Sequence, residues 1–167
     1  MKEQYEKIHE LGMYDTHCMS NRDSDILFGL VRGTKSITLL DFGGGKGHQY
    51  TRDNINRRFG IDILDIDIYD IGIPKYSKIP NKVYDGVISI DVLEHIYEKD
   101  LDESLTLLFS KAKNFVYIAV ACRPAETVLP NGLNAHVTIR PPSWWKEKIE
   151  PYNTKNIPLI VSYRIPK

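Results

Sequence analysis

The residues best suited to chemistry begin at Asp41, where D-F-G-G-G-K-G follows directly on the apolar run Ile37 to Leu40. Glycine permits backbone conformations, and a closeness of ligand to main chain, that a Cβ forbids. Gly43, Gly44, Gly45 and Gly47 therefore form a loop suited to touching a ligand, with an acid at its entrance. A phosphate-binding P-loop needs Gly-Lys followed by Ser or Thr to hold magnesium, but Lys46 is followed by Gly47. A dinucleotide fingerprint starting at Gly43 and Gly45 puts His48 where a third glycine must let helix and strand pack closely. What remains is Asp41-x-Gly43-x-Gly45-x-Gly47 at the end of a hydrophobic strand, or an ordinary glycine-rich turn between strand and helix.

A second constellation runs from Val83 to His95, V-Y-D-G-V-I-S-I-D-V-L-E-H, an apolar strand ending in a charged group. Between the two lies F-G-I-D-I-L-D-I-D-I-Y-D, Phe59 to Asp70, whose isoleucine and aspartate alternation is the period-two signature of a strand with unlike faces. Asp65, Asp67 and Asp70 compete to be the acid at its end. Asp70 is the choice, because Ile71-Gly72-Ile73-Pro74 follows at once and must stop the strand. Farther on, the irregular stretch 123–142 is a long loop of the kind that carries substrate contacts, with Asn134, His136 and Arg140 as its polar candidates.

The first pattern resembles motif I of the class I S-adenosylmethionine (SAM)-dependent methyltransferases. The second resembles the strand-four motif of their small-molecule members, F-D-x-V-x-x-x-x-V-L-E-H, matched by Tyr84, Asp85, Val87, Val92, Leu93, Glu94 and His95. The two occur in the right order about forty residues apart, and the resemblance spans about residues 37–165. The stretch A-H-V-T-I-R-P-P-S-W-W is similar to compact, often phage-encoded members. The resemblance implies SAM as cofactor: a bare backbone at Gly43 to Gly47 wraps its methionine end while Asp41 favours its ammonium group. It also implies an acid at the end of strand two accepting the ribose hydroxyls; family spacing favours Asp67 over Asp70, and both stay open. Asp91 and Val92 become cofactor contacts. Glu94 and His95 are expected to open the next helix near the methyl group, with His95 and His136 as the catalytic candidates and no metal required. The other reading of His95 is an N-terminal helix residue that holds the turn together with Glu94.

With 167 residues, one domain (1–167) is expected, large enough for a real core. The fold class expected is α/β, a Rossmann-like class I methyltransferase sheet, mostly parallel. Only twelve residues separate Asp70 from Val83, too few for the helix and third strand of the complete family fold, so an extended segment at Tyr76 to Ile79 is expected instead. One strand, Ile157 to Ile165, stands where the family has a terminal hairpin. Residues 1–33 read as a preface of two helices, the second capped by Asn21, or as a lid carrying Tyr14 and His17. Helices are also expected over residues 46–58, from Asp100 to Ala112 with Asp100 as cap, and after Ser143.

Lysine plus arginine (22) balance aspartate plus glutamate (22), so no basic field concentrates the protein on nucleic acid, and a small-molecule acceptor is the expected partner. Cys18 and Cys122 make neither a disulfide framework nor a zinc pattern. No apolar run reaches the length of a membrane span or signal sequence, which implies a soluble, cytoplasmic protein. The absence of an Asn-Pro-Pro-Tyr or Asp-Pro-Pro-Tyr run argues against adenine or glutamine N-methylation, and that of a Pro-Cys nucleophile against cytosine C5 methylation. A SAM-binding regulatory module without turnover is the alternative from another class, and a nicotinamide oxidoreductase a more distant one.

Overall fold

The structure, a computed structural model, describes residues 2–12, 19–51 and 65–166. Five strands, β1 (Thr38–Phe42), β2 (Asp65–Tyr69), β3 (Tyr84–Ile90), β4 (Ala112–Ala121) and β5 (Leu159–Arg164), form one sheet in the order β2-β1-β3-β4-β5. Every pairing is parallel, where the sequence predicted a mostly parallel sheet.

The central strands read as continuous apolar runs because both faces are covered. On one face Leu40, Val87, Val116 and Ile118 pack under helices α4 (Leu101–Lys111) and α5 (Pro142–Ile149), which contribute Leu105, Leu108, Trp145 and Ile149. On the other face Leu39, Ile88, Phe115 and Tyr117 meet Leu27 and Val31 of α2 (Asn21–Gly33). Alternation puts Leu39 and Leu40 on opposite faces, so one strand serves both cores. Gly86 on β3 is fixed by this packing, since a Cβ there would lie 2.2 Å from Phe115 and 2.7 Å from Leu39.

Helix caps differ from expectation. Ser20, not Asn21, caps α2, in a capping box with Asp23 that pairs Ser20 Oγ with the Asp23 amide and the Asp23 carboxylate with the Ser20 amide. Asp100 precedes α4 without a side-chain cap, and Pro141 rather than Ser143 flanks α5. Residues 70–83 cross from β2 to β3 with a single 3-10 turn, Pro74–Tyr76, in place of the extended segment expected there. No strand forms on that path, so β2 is an edge, and Lys82 reaches back to its Asp65 (3.0 Å) and Asp67 (2.7 Å). Charged side chains on an edge discourage pairing with other chains. The chain turns one way from β1 to β2 and the other way through β3, β4 and β5. The switch point between β1 and β3 is where an open parallel sheet leaves a crevice at its carboxyl ends. Among the described residues no helix is long and apolar enough to cross a membrane.

Candidate functional site

A cleft of about 820 Å³ lies at that switch point, within the range of small-molecule sites. Gly43, Gly44, Gly45 and Lys46 after β1, Tyr69 and Asp70 at the end of β2, and Asp91 and Val92 after β3 line it, together with His95, Arg123 and His136.

The glycine loop is shaped as much by the protein as by any ligand. Gly43 has φ +88°, and a Cβ on it would lie 2.3 Å from a methyl of Val92. Gly47 has φ +72°, and its Cβ would lie 2.4 Å from Ile68. At these two positions the space a side chain would need is already filled from β2 and from the loop after β3, which locks the two loops together. Helix α3 (His48–Thr51) begins the helix expected over 46–58, whose remainder lies outside the described residues, as do Tyr14, His17 and Cys18.

Asp41 is buried, and its Oδ2 accepts from Gln49 Nε2 at 2.8 Å and from the Tyr50 hydroxyl at 2.6 Å. Burial outweighs these donors and pushes its carboxyl from 3.8 up to about 6, with Asp70 adding repulsion. A carboxyl raised on folding holds its proton better in the folded state. It therefore adds stability that is complete below pH 3.8 and lost as the pH rises through about 6, roughly 3 kcal/mol. Urea unfolding across pH 4 to 7 should show that loss, and Asp41→Asn should remove it. Identical pH profiles for the two proteins would exclude Asp41 as the source.

Asp70 sits on the cleft wall, where its two oxygens accept from the Gly45 and Gly72 amides, each at 2.8 Å. Asp67 does not line the cleft; its Oδ2 is held by the Tyr84 hydroxyl (2.7 Å) and Lys82. Asp91 has φ +53°, a strained conformation for a non-glycine residue at a site where strand gives way to loop. Arg164, from the end of β5, reaches both Asp91 (2.8 Å) and Asp23 (3.0 Å). Burial still lifts the Asp91 carboxyl to about 6 against the pull of Arg164.

The residues after Val92 do not open a helix. They make the 3-10 turn Leu93–His95, a second turn Glu98–Asp100, and only then α4. Glu94 is wholly buried; its Oε1 accepts from the Ala121 amide at 2.8 Å. Burial, then repulsion from Asp91, pushes its carboxyl up to about 8. His95 Nδ1 lies 2.9 Å from the Ala135 carbonyl and 2.9 Å from the Tyr5 hydroxyl. A carbonyl only accepts, which assigns the proton to Nδ1 and the lone pair to Nε2. Burial and the neighbouring His136 pull His95 down to about 4, so the ring is neutral at physiological pH. The His136 ring crosses that of His95 edge-on with centroids 4.7 Å apart.

Of the polar candidates in the 123–142 loop, only His136 faces the cleft. Asn134 is a staple, its side chain bonded to both backbone groups of Ala125 and to the His136 amide. Arg140 pairs with Glu98 (2.7 Å) and lies over Trp144, away from the cleft. Cys122 packs against the core and likewise does not line the cleft.

Helix α1 (Lys2–Glu10) is where the sequence reading fell short. Tyr5 and His9 line the cleft, and Ile8 is fully buried against Leu129 and Ala135. His9 Nε2 stands 3.9 Å from Asp70. The Tyr5, Ile8 spacing signals an apolar helix face, but nothing local says which loops that face will meet. The sequence offers Glu94 only a place opening the next helix or in a turn with His95, without a chemical role, and Arg164 carries no signal at all.

No family model matches the chain, and no curated protein matches it.

Proposed function

We propose that the protein is a SAM-dependent methyltransferase acting on a small-molecule acceptor. The observation that supports this best is the convergence of three carboxylates, Asp41, Asp70 and Asp91, from the ends of β1, β2 and β3 onto one cleft beside the glycine loop. SAM is a cation at both its ammonium and its sulfonium, and when bound it supplies a methyl group on an already activated leaving group. Asp41 offers its charge to the ammonium, Asp70 offers lone pairs to the ribose hydroxyls, and the main chain from Gly43 to Gly45 lies along the methionine end. Asp91 and Val92 form the opposite wall. The acceptor enters between His95, His136 and the loop from Arg123 to Thr127, all of which line the cleft. There the neutral imidazoles can take the acceptor's proton, while positioning and exclusion of water do the rest.

The alternative, a SAM-binding module without turnover, draws on the shortened crossover over residues 70–83. Labelled methyl transfer to an acceptor separates it from the enzyme. Both readings require binding, so S-adenosylhomocysteine should raise the melting temperature. At a hundred times its dissociation constant the stabilisation is about 2.7 kcal/mol, roughly 5 to 10 °C for a domain of this size. No shift at millimolar ligand would sink both.

A further inference from the structure

Glu94, His95 and His136 converge on one point, each offering a ligand atom within 4.8 Å of the others. They arrive by separate routes, Glu94 and His95 on the turn after β3 and His136 on the loop after β4. Each imidazole is anchored through Nδ1 to a backbone carbonyl, His95 to Ala135 at 2.9 Å and His136 to Arg123 at 2.5 Å. That anchoring fixes the tautomer and leaves Nε2 as the lone-pair nitrogen, which is how proteins orient metal-binding histidines. His136 Nε2 lies 4.0 Å from Glu94 Oε1.

Behind the two rings Glu94 is 0% exposed, and among the described residues its second oxygen, Oε2, has no hydrogen-bond partner. A buried carboxyl oxygen left without a partner costs about 1–3 kcal/mol. Proton transfer at either histidine does not need it. We propose that Glu94, His95 and His136 together bind one divalent first-row transition cation.

Two nitrogens and one carboxylate suit zinc, iron, cobalt or nickel better than magnesium or calcium, which take oxygen donors. Three protein ligands leave coordination positions open, the arrangement of catalytic rather than structural sites. With bonds of about 2.0–2.2 Å a tetrahedral ion holds its donors about 3.3–3.6 Å apart, so side chains whose donor atoms lie within 4.8 Å must close by up to about 1.5 Å on loading. His95 and His136 line the cleft, so the open positions face it. They fit an oxygen of the acceptor, whose ionisation the cation would favour at neutral pH. That role rests on the methyltransferase reading; the binding itself does not.

The test is calorimetric titration of the chelator-stripped full chain with zinc chloride at pH 7.5, without any nucleoside ligand, and with magnesium chloride in parallel. One equivalent of zinc should bind, magnesium should not, and His136→Ala and Glu94→Gln should each weaken zinc binding a hundredfold or more. Circular dichroism of each variant checks its fold; if Glu94→Gln fails to fold, His136→Ala decides alone, because His136 lies on a loop. A cobalt(II) titration gives a second readout, with an absorption spectrum of nitrogen ligation in the wild type that His136→Ala loses. Absence of zinc binding at 100 equivalents, or equal affinity in wild type and His136→Ala, would overturn the proposal. S-adenosylhomocysteine binding, measured separately on the stripped protein, reports on the methyltransferase reading whichever way zinc falls.

Discussion

His95→Ala should lower methyl-transfer turnover a hundredfold or more while leaving SAM affinity nearly unchanged. The reasoning is geometric. His95 lines the cleft, and its Nδ1 proton is committed to the Ala135 carbonyl, which makes Nε2 the basic nitrogen of the ring. A group that acts by taking a proton in the transition state contributes about 10² to 10⁴ in rate and little to ground-state binding of the cofactor. His136→Ala discriminates between two roles for the second ring. If His136 only positions the acceptor, its loss mainly raises the acceptor's KM; if the two rings share a cation with Glu94, kcat falls in both variants and added zinc restores part of it. Full turnover in both variants would leave transfer to proximity and desolvation, with neither histidine in a chemical role.

Asp70→Ala should weaken S-adenosylhomocysteine binding roughly ten- to a hundredfold, the equivalent of charge-assisted hydrogen bonds worth about 1.5–3 kcal/mol. Two losses act in the same direction. On the proposed reading the carboxylate offers lone pairs to the ribose; it also holds the Gly45 and Gly72 amides, so without it the glycine loop loses a tie to β2. Asp67→Ala should leave affinity unchanged, because its side chain is spent on Tyr84 and Lys82 on the sheet edge. Isothermal titration of both variants decides between them. A silent Asp70→Ala together with a weakened Asp67→Ala would return the ribose contact to the shorter family spacing.

By itself the sequence determined the strands, the main helices α2, α4 and α5 and their order, because those depend on local periodicity and on turn chemistry. The apolar run before Asp41 and the run from Tyr84 to Ile90 had to be strands covered on both sides, and Leu101, Leu105, Leu108 and Phe109 had to face a core. The short stretch between Asp70 and Val83 already excluded a full crossover helix and extra strand. Gly43 and Gly47 marked the turn at which positive φ was needed, although the neighbours that demand a missing Cβ, Val92 and Ile68, became visible only in the fold.

Tertiary structure alone decided which polar groups meet. Tyr5 and His95 are 90 residues apart and share a hydrogen bond; Arg164 and Asp23 are 141 apart and share an ion pair. No period of two or of 3.6 encodes such pairs. The same holds for Asn134 and Arg140, polar loop residues that resemble substrate contacts in sequence but spend their hydrogen bonds inside the protein. Glu94 shows the reason most directly: in sequence it is an acid in a turn, and only the packing of β4 and of the loop bearing His136 takes it out of water and sets it against two imidazoles. Burial, which depends on every element at once, turned an ordinary carboxylate into a chemical group.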